Sequence, residues 1–228
     1  MRGMCSRYAL SARAVARLAK RLRAEPVESG NDDNNLAPGR QAPVAVRRPD
    51  GLRIALLRWG LPSPWRGTPL LQARSETVAV KPVFRELFRH RRCLVPAEAF
   101  YEWQAGTRPK QPWRFAMADD MSLAMAGLWQ SWRDEAGREQ EGFLLLTTSA
   151  NPAVAACHDR MPVLLSPGVW EPWLDADACA PTLQPLLRPW SGPMTAWPVT
   201  TAMNRADYAG PVTRVEPPAV QAELFGGC

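Results

Sequence analysis

Between residues 41 and 165 the apolar residues come in short runs, and Pro, Gly, Asn or Asp stands between most of them. Runs of that length suit strands better than core helices, which need a longer 3.6-residue period. Residues 42–46 (APVAV) and 52–59 (LRIALLRW) flank the turn Pro49-Asp50-Gly51 and read as two strands. The run 93–103 reads as one strand, with Pro96 at an edge or bulge because proline has no N–H to give a central ladder. Further strands are predicted near 113–118, 122–132, 142–148, 161–165 and 195–201. Helical spacing is confined to a few places. Leu10, Val15, Leu18 and Leu22 share a face within residues 10–23, which Pro26 ends. A short helix is predicted around Val83–His90 and another near 168–174. Asn151-Pro152 reads as a helix start, with Asn as cap and Pro at the first helical position. Residues 25–40 and 60–68 read as loops. Many short strands, few helices and no internal repeat predict a single α+β domain.

Composition narrows the partners. The 228 residues suit one domain, and a net charge of +6 favours polyanions, nucleic acid first. Ten tryptophans supply both core and possible stacking platforms. The five cysteines, Cys5, Cys93, Cys157, Cys179 and Cys228, are odd in number, scattered, and without a CxxC pair. That argues against a disulfide framework and against a zinc site, and fits a reducing, cytoplasmic setting. No apolar run reaches the ~18–20 residues of a membrane span. Residues 1–24 are rich in Arg and Ala and lack acidic residues, which resembles a transit peptide in composition; an amphipathic surface helix is the preferred reading.

Four segments carry chemistry together: Met4-Cys5-Ser6-Arg7-Tyr8; Gln72-Ala73-Arg74-Ser75-Glu76-Thr77; residues 92–103, ending in Phe100-Tyr101-Glu102-Trp103; and His158-Asp159-Arg160-Met161-Pro162. Shorter matches stand at Asn35-Leu36-Ala37-Pro38, Trp59-Gly60-Leu61, Ala126-Gly127-Leu128-Trp129 and Thr147-Thr148. In this order and at these separations the chain resembles the SRAP family (SOS-response-associated peptidase), from Cys5 to about Pro217. The resemblance implies a mixed, mostly antiparallel, barrel-like sheet with flanking helices and a basic cleft for single-stranded DNA. It implies a cysteine at the mature N-terminus that forms a stable thiazolidine crosslink to an abasic site, with autopeptidase and abasic-site lyase activities alongside. Residues 1–4 are then expected to be a leader that is not kept, and 218–228 a C-terminal tail. No metal, organic cofactor or membrane partner is expected. A monomer is expected in the cytoplasm, on the nucleoid when bound to DNA.

Each residue carried over has a chemical rationale. An α-amine is partly neutral at physiological pH and can condense with the open-chain aldehyde of an abasic sugar. The Cys5 thiol, on the next carbon, then closes a five-membered ring, a step made fast by proximity. His158 suits proton transfer, since imidazole titrates near neutrality. Glu102 lies among aromatic residues on a predicted strand, on the face of Phe100 and opposite to Tyr101 and Trp103, and suits holding the terminal ammonium. Gln72 stands where the family has Asn and is expected to steady the amine or a sugar hydroxyl. Ser6 stands where the family has Gly, and Ala99 after Glu98 where it has Asp-Gly. Arg7, Arg74, Arg85 and Arg160, with Thr148, are expected at the DNA backbone, and Pro38 and Trp65 at the bases. Trp59 reads as core, and His90 as a residue of a solvated basic face.

As written, Cys5 follows Met1-Arg2-Gly3-Met4, so its amine is in a peptide bond. Start at Met4 followed by methionine removal, or self-cleavage of the Met4–Cys5 bond, would free it. Two other readings stay open: a thiol peptidase using Cys5 and His158 on peptides, and a single-stranded DNA binder without crosslinking.

Overall fold

The computed structural model describes residues 6–25, 32–65, 67–118 and 123–216. The strand runs fold into two sheets. The first is built from β3 (Gln41–Arg48), β4 (Gly51–Trp59), β6 (Arg92–Ala97), β9 (Leu123–Arg133) and β10 (Glu139–Ser149). β10 pairs with β9 on one edge and β4 on the other, so the order β4-β3-β6-β9-β10 closes into a five-stranded barrel. All of these pairings are antiparallel except β10 with β4. Where β4 stops, β5 (Gln72–Arg74) continues as the parallel partner of β10, and β11 (Arg160–Pro162) takes the end of β10 antiparallel. The second sheet is wholly antiparallel. Its order is β12 (Met194–Pro198), β8 (Pro112–Met117), β7 (Ala99–Trp103), β1 (Arg7–Leu10) and β2 (Asp33–Leu36). The α+β domain with a mostly antiparallel barrel and flanking helices is the one expected.

Closing so small a barrel brings backbones close together. At Gly142 a Cβ would lie 2.5 Å from the Gly60 carbonyl oxygen and 2.8 Å from that of Arg58. At Gly127 it would lie 2.7 Å from the Leu144 carbonyl oxygen and 2.8 Å from Cys93 Sγ. Only glycine permits these seams. Between the barrel and the second sheet the core packs tightly. Trp59 is fully buried, stacked on Phe143 at 6.1 Å and tilted against Tyr8 at 5.4 Å, and its indole N–H donates to the Leu71 carbonyl at 3.1 Å.

Helix α1 (Ala12–Leu22) forms where the apolar spacing put it and buries Ala14, Val15, Leu18, Ala19 and Leu22. Ser11 caps it, its Oγ accepting from the Ala14 N–H at 3.0 Å, a device that stabilises by ~1 kcal/mol. It ends at Arg23, which takes a left-handed φ of 50° and gives its N–H to the Ala19 and Lys20 carbonyls. Pro26 lies outside the described residues. Helices α2 (Pro82–His90), α3 (Pro152–Ala155), α4 (Trp170–Leu174) and α5 (Ala180–Leu183) complete the chain.

Three expectations are corrected. Residues 93–103 form two strands, β6 and β7, in different sheets. The switch falls at Glu98, whose N–H donates to the Ala9 carbonyl and whose carboxylate accepts from Ser11 Oγ at 2.5 Å. Pro96 sits beyond the part of β6 that pairs with β3, so its missing N–H costs no bond on that side. The stretch 25–40, read as loop, contains β2, held by pairing Leu36 with Tyr8 and Asp33 with Leu10 rather than by any pattern of its own. The predicted strand 161–165 is shorter, with an isolated bridge from Leu164 to Met125 beyond β11.

Candidate active site

The site is built where three elements meet. In the second sheet β1 lies against β7, with Arg7 facing Tyr101 and Tyr8 facing Phe100. β1 begins at Arg7; this antiparallel register, continued by one residue, would set Ser6 opposite Glu102. Cys5 itself lies outside the described residues. Glu102 points to the same side of β7 as Phe100, as alternation predicts, toward the main core, and is only 1% exposed.

The second element is the corner at the end of β10. Asn151 caps α3 by accepting from the Val154 N–H at 3.1 Å, and its Nδ2 donates to the Trp190 carbonyl at 2.9 Å. That second bond ties the corner to the segment leading into β12, so α3 spans from barrel to second sheet. The turn after α3 carries Cys157 and His158, and Ala150 N–H closes it onto the Asp159 carbonyl at 3.0 Å. Cys157 is buried; burial first and then the nearby Glu102 carboxylate push its thiol up to about 12. Glu102 and the α3 turn are therefore electrostatic neighbours across the two sheets.

His158 has a side chain 14% exposed. Its Nδ1 lies 3.0 Å from the Arg160 N–H and also 3.0 Å from Asp159 Oδ1. One lone pair cannot accept the amide while the same nitrogen carries a proton toward the carboxylate. The amide is fixed in β11, whereas the Asp159 side chain is 87% exposed and free to turn into water. The amide therefore holds Nδ1, and the neutral ring carries its proton on Nε2.

The third element is β5. Gln72 and Arg74 share one face of it, half-buried and exposed respectively, opposite Leu145 and Thr147 of β10. Just beyond, Glu76 receives both ends of the Arg160 guanidinium, Nη1 to Oε1 at 2.5 Å and Nη2 to Oε2 at 2.9 Å. Arg160 Nη2 also donates to the Thr147 carbonyl at 2.7 Å. The Arg160 hydrogen bonds are the main reason that Glu76 titrates below the usual carboxylate range, with Arg74 adding a smaller field.

The remaining expected residues lie on several other elements. Arg7 is half-buried on β1, 5.5 Å over the Trp103 ring, and donates to the Met203 carbonyl at 3.1 Å; burial lowers its pKa. Thr148 is buried on β10, paired with Met161. Pro38 is half-buried in the turn between β2 and β3. Trp65 stands 65% exposed in the loop between β4 and β5. Arg85 is on the surface of α2 beside Glu86, 3.5 Å away. Neither Cys157 nor the grip of Glu76 on Arg160 was singled out from the sequence, although both lie beside residues that were. Among the described residues no group of three or more His, Cys, Asp or Glu side chains is placed to hold a metal ion. Nor is any helix among them long and apolar enough to cross a membrane.

The chain is 33% identical over 178 residues to the abasic site processing protein YoaM of Bacillus subtilis, covering 75% of this chain and 78% of that one. It is 34% identical over 179 residues to the abasic site processing protein YedK of Escherichia coli, covering 75% and 79%. A crystal structure of a Bacteroides thetaiotaomicron protein shares the fold at a TM-score of 0.76, with 24% identity, over 87% of this chain and 93% of that one. One from Bordetella bronchiseptica, 28% identical, does so at 0.71, over 86% and 100%. The family model for SOS response associated peptidase (SRAP) matches residues 4–206, and with these relatives it shows that the chain belongs to the SRAP family.

Proposed function

We propose that this protein captures abasic sites in single-stranded DNA, through Cys5 once its α-amine is free, as a covalent thiazolidine. The observation that carries the reading is the β1–β7 register. Continued past Arg7, that register would bring Ser6 beside Glu102, and Cys5 follows one peptide unit, about 3.8 Å between Cα atoms, beyond Ser6 toward the N-terminus. In this reading its nitrogen and sulfur act beside Glu102, with His158 in the α3 turn next to Cys157. The names of the relatives, abasic site processing proteins, support the substrate class.

In this reading the amine lone pair attacks the sugar aldehyde carbon, and the carbinolamine loses water to give an imine. Glu102 holds the terminal ammonium before attack, takes a proton from it and returns that proton to the departing oxygen, which leaves as water. His158 steadies that oxygen through a hydrogen bond from its Nε2–H. The Cys5 sulfur then adds to the imine carbon and the nitrogen regains a proton, so one water is lost overall. Until the ring closes, the imine acidifies the neighbouring sugar carbon and permits elimination of the 3′ phosphate; closure removes that lyase route. Gln72 and Arg74, on one face of β5, flank the strand, and Trp65 offers an exposed ring to a base. Self-cleavage at Met4–Cys5, if it frees the amine, draws on the same Glu102 and His158.

The test mixes protein of known N-terminal mass with an oligonucleotide carrying one abasic site. An adduct that survives boiling in detergent is expected, and Cys5→Ala is expected to abolish it. A chain with a free Cys5 that yields no such adduct defeats the proposal.

A further inference from the structure

The opposite end of the barrel carries a feature that the site above does not use. Between the β3–β4 turn and the C-terminal ends of α2 and α4 lies a pocket of about 480 Å³, lined by Arg47, Arg48, His90, Arg91 and Arg92. β4 runs from this pocket to Trp59 over nine residues, roughly 26 Å at 3.3 Å per residue. The pocket is thus remote from the corner that holds His158.

Its arginines are not equivalent. Arg92 is buried and serves the helix ends: Nε donates to the Trp173 carbonyl at 2.7 Å, Nη1 to those of Phe88, at 2.7 Å, and Arg89, and Nη2 to that of Asp175. Arg47 gives Nε to the Leu174 carbonyl at 2.8 Å. These bonds answer the negative ends of α2 and α4. Arg48 pairs with Glu141 at 2.7 Å and lies 4.8 Å over the Trp129 ring. Arg91 lies 4.6 Å over the same ring, exposed, and has no acidic partner among the described residues. Of the four guanidiniums, Arg48 is paired with Glu141 and Arg92 feels the more distant Asp175, while Asp50 of the β3–β4 turn is taken by Arg53. The Trp129 ring attracts the Arg91 guanidinium, whose planar fork of N–H donors suits an oxyanion.

We propose that this pocket is a second anion site that takes a phosphate group, with Arg91 and the outer edge of Arg47 as its donors. The volume exceeds a bare phosphate and leaves room for the sugars on either side of a phosphodiester. A backbone phosphate of a DNA strand that passes around the barrel is the preferred source. That part rests on the DNA-binding reading above; the phosphate chemistry does not.

Two arms test it with full-length Arg91→Gln. Arg89→Gln, two residues earlier in the last turn of α2 and outside the pocket, serves as control. In the first, inorganic phosphate at matched ionic strength is expected to raise the melting temperature of wild type and Arg89→Gln above its value in chloride. Arg91→Gln should show no such rise. An equal rise in all three proteins overturns the site. In the second, binding of undamaged oligothymidylate, long enough to leave the Glu102 corner and reach the pocket, is measured across salt. The log–log slope should be shallower by about 0.7 in Arg91→Gln, the share of one single-strand phosphate, with no change for a short oligomer. A lost phosphate response with an unchanged slope overturns the strand as the source and leaves a free phosphate group as ligand. Abasic-site adduct formation is expected at the wild-type level in both variants, so its failure would speak against the proposed function and not against this pocket.

Discussion

Arg160 and Glu76 hold each other in a two-pronged ion pair that ties the start of β11 to the chain just past β5. Because Arg160 also donates to the Thr147 carbonyl, the pair pins three segments at the edge of the site. A strand phosphate that reaches Arg160 has to share it with a carboxylate. Replacing Glu76 by Gln removes the competing charge and leaves a neutral acceptor in place. Glu76→Gln is therefore expected to bind single-stranded DNA more tightly, with a log–log salt slope steeper by about 0.7 for each phosphate gained. Anisotropy titrations over a range of salt would show it, and an unchanged slope would mean that Arg160 meets no phosphate.

The same pair has an acid signature. Glu76 titrates below its ordinary range because Arg160 hydrogen-bonds the ionised form. A carboxyl whose folded pKa lies below the unfolded value, ~4.3, stabilises the fold above that value. The stabilisation is lost as pH falls through the lower, folded pKa. With the Glu76 side chain 48% exposed, solvent screening keeps the contribution under about 1 kcal/mol. Urea midpoints of wild type should exceed those of Glu76→Gln at neutral pH and converge with them in acid. A gap that persists at the acid limit would assign the effect to packing.

Burial gives the cysteines distinct reactivities. Cys93 is fully buried and its thiol is pushed well up; Cys157 is pushed to about 12. Cys179 is exposed, and hydrogen bonding with Thr182 lowers its pKa. Only thiolate reacts with alkylating agents, so brief iodoacetamide treatment of native protein should label Cys179 and spare Cys93 and Cys157. Site-resolved mass spectrometry reads this directly, with urea-unfolded protein as reference. A raised folded pKa also fixes the sign of the alkaline effect. The contribution of Cys157 to stability is complete below its unfolded value of ~8.5 and is lost as pH rises toward 12.

What the sequence revealed, and what it hid, follows from where the determining contacts lie. β3 and β4 were legible because their apolar runs flank a turn, and the cap of α3 because Asn151-Pro152 is a local signal. β5 was not legible. Three residues, Gln-Ala-Arg, have no period, and they become a strand only because β10 has an open edge where β4 ends. The split of residues 93–103 at Glu98 depends on Ala9 and Ser11, nearly ninety positions earlier. The site shows the same division. Glu102 and His158 were singled out from motifs, yet the approach of Glu102 to Cys157 in the turn that carries His158 depends on α3 spanning two sheets, which no local pattern encodes. Gly142 was unremarked for the same reason: its need is set by the Gly60 carbonyl across the barrel seam.

Trp65 offers the cleanest separation of binding from folding. It is exposed, and its backbone N–H donates to Ser63 Oγ at 3.2 Å within the same loop. Trp65→Ala should leave the melting temperature within error of wild type. Its affinity for single-stranded DNA should fall by about 1–3 kcal/mol if one base stacks on the ring. Equilibrium binding to undamaged strands measures this without the covalent step, and unaltered affinity would remove Trp65 from the interface.

His158 is the sharpest test of the proposed chemistry, because its geometry leaves it one working nitrogen. The Arg160 amide holds Nδ1, so His158 acts through its Nε2–H, as a hydrogen-bond donor to the departing oxygen. Glutamine at this position keeps an N–H but not at the place and angle of the ring donor. His158→Gln is expected to slow adduct formation by about 10²-fold, the usual range for loss of one positioned donor at a developing oxyanion. The non-covalent affinity for the abasic strand should change little, since the ring is a minor part of the surface. Intact mass must be read alongside, because a variant that retains residues ahead of Cys5 would be silent for want of an amine rather than of the imidazole. If Cys5 is free and His158→Gln reacts at the wild-type rate, the departing oxygen needs no bond from the ring, and the role assigned to the imidazole falls while the covalent capture stands.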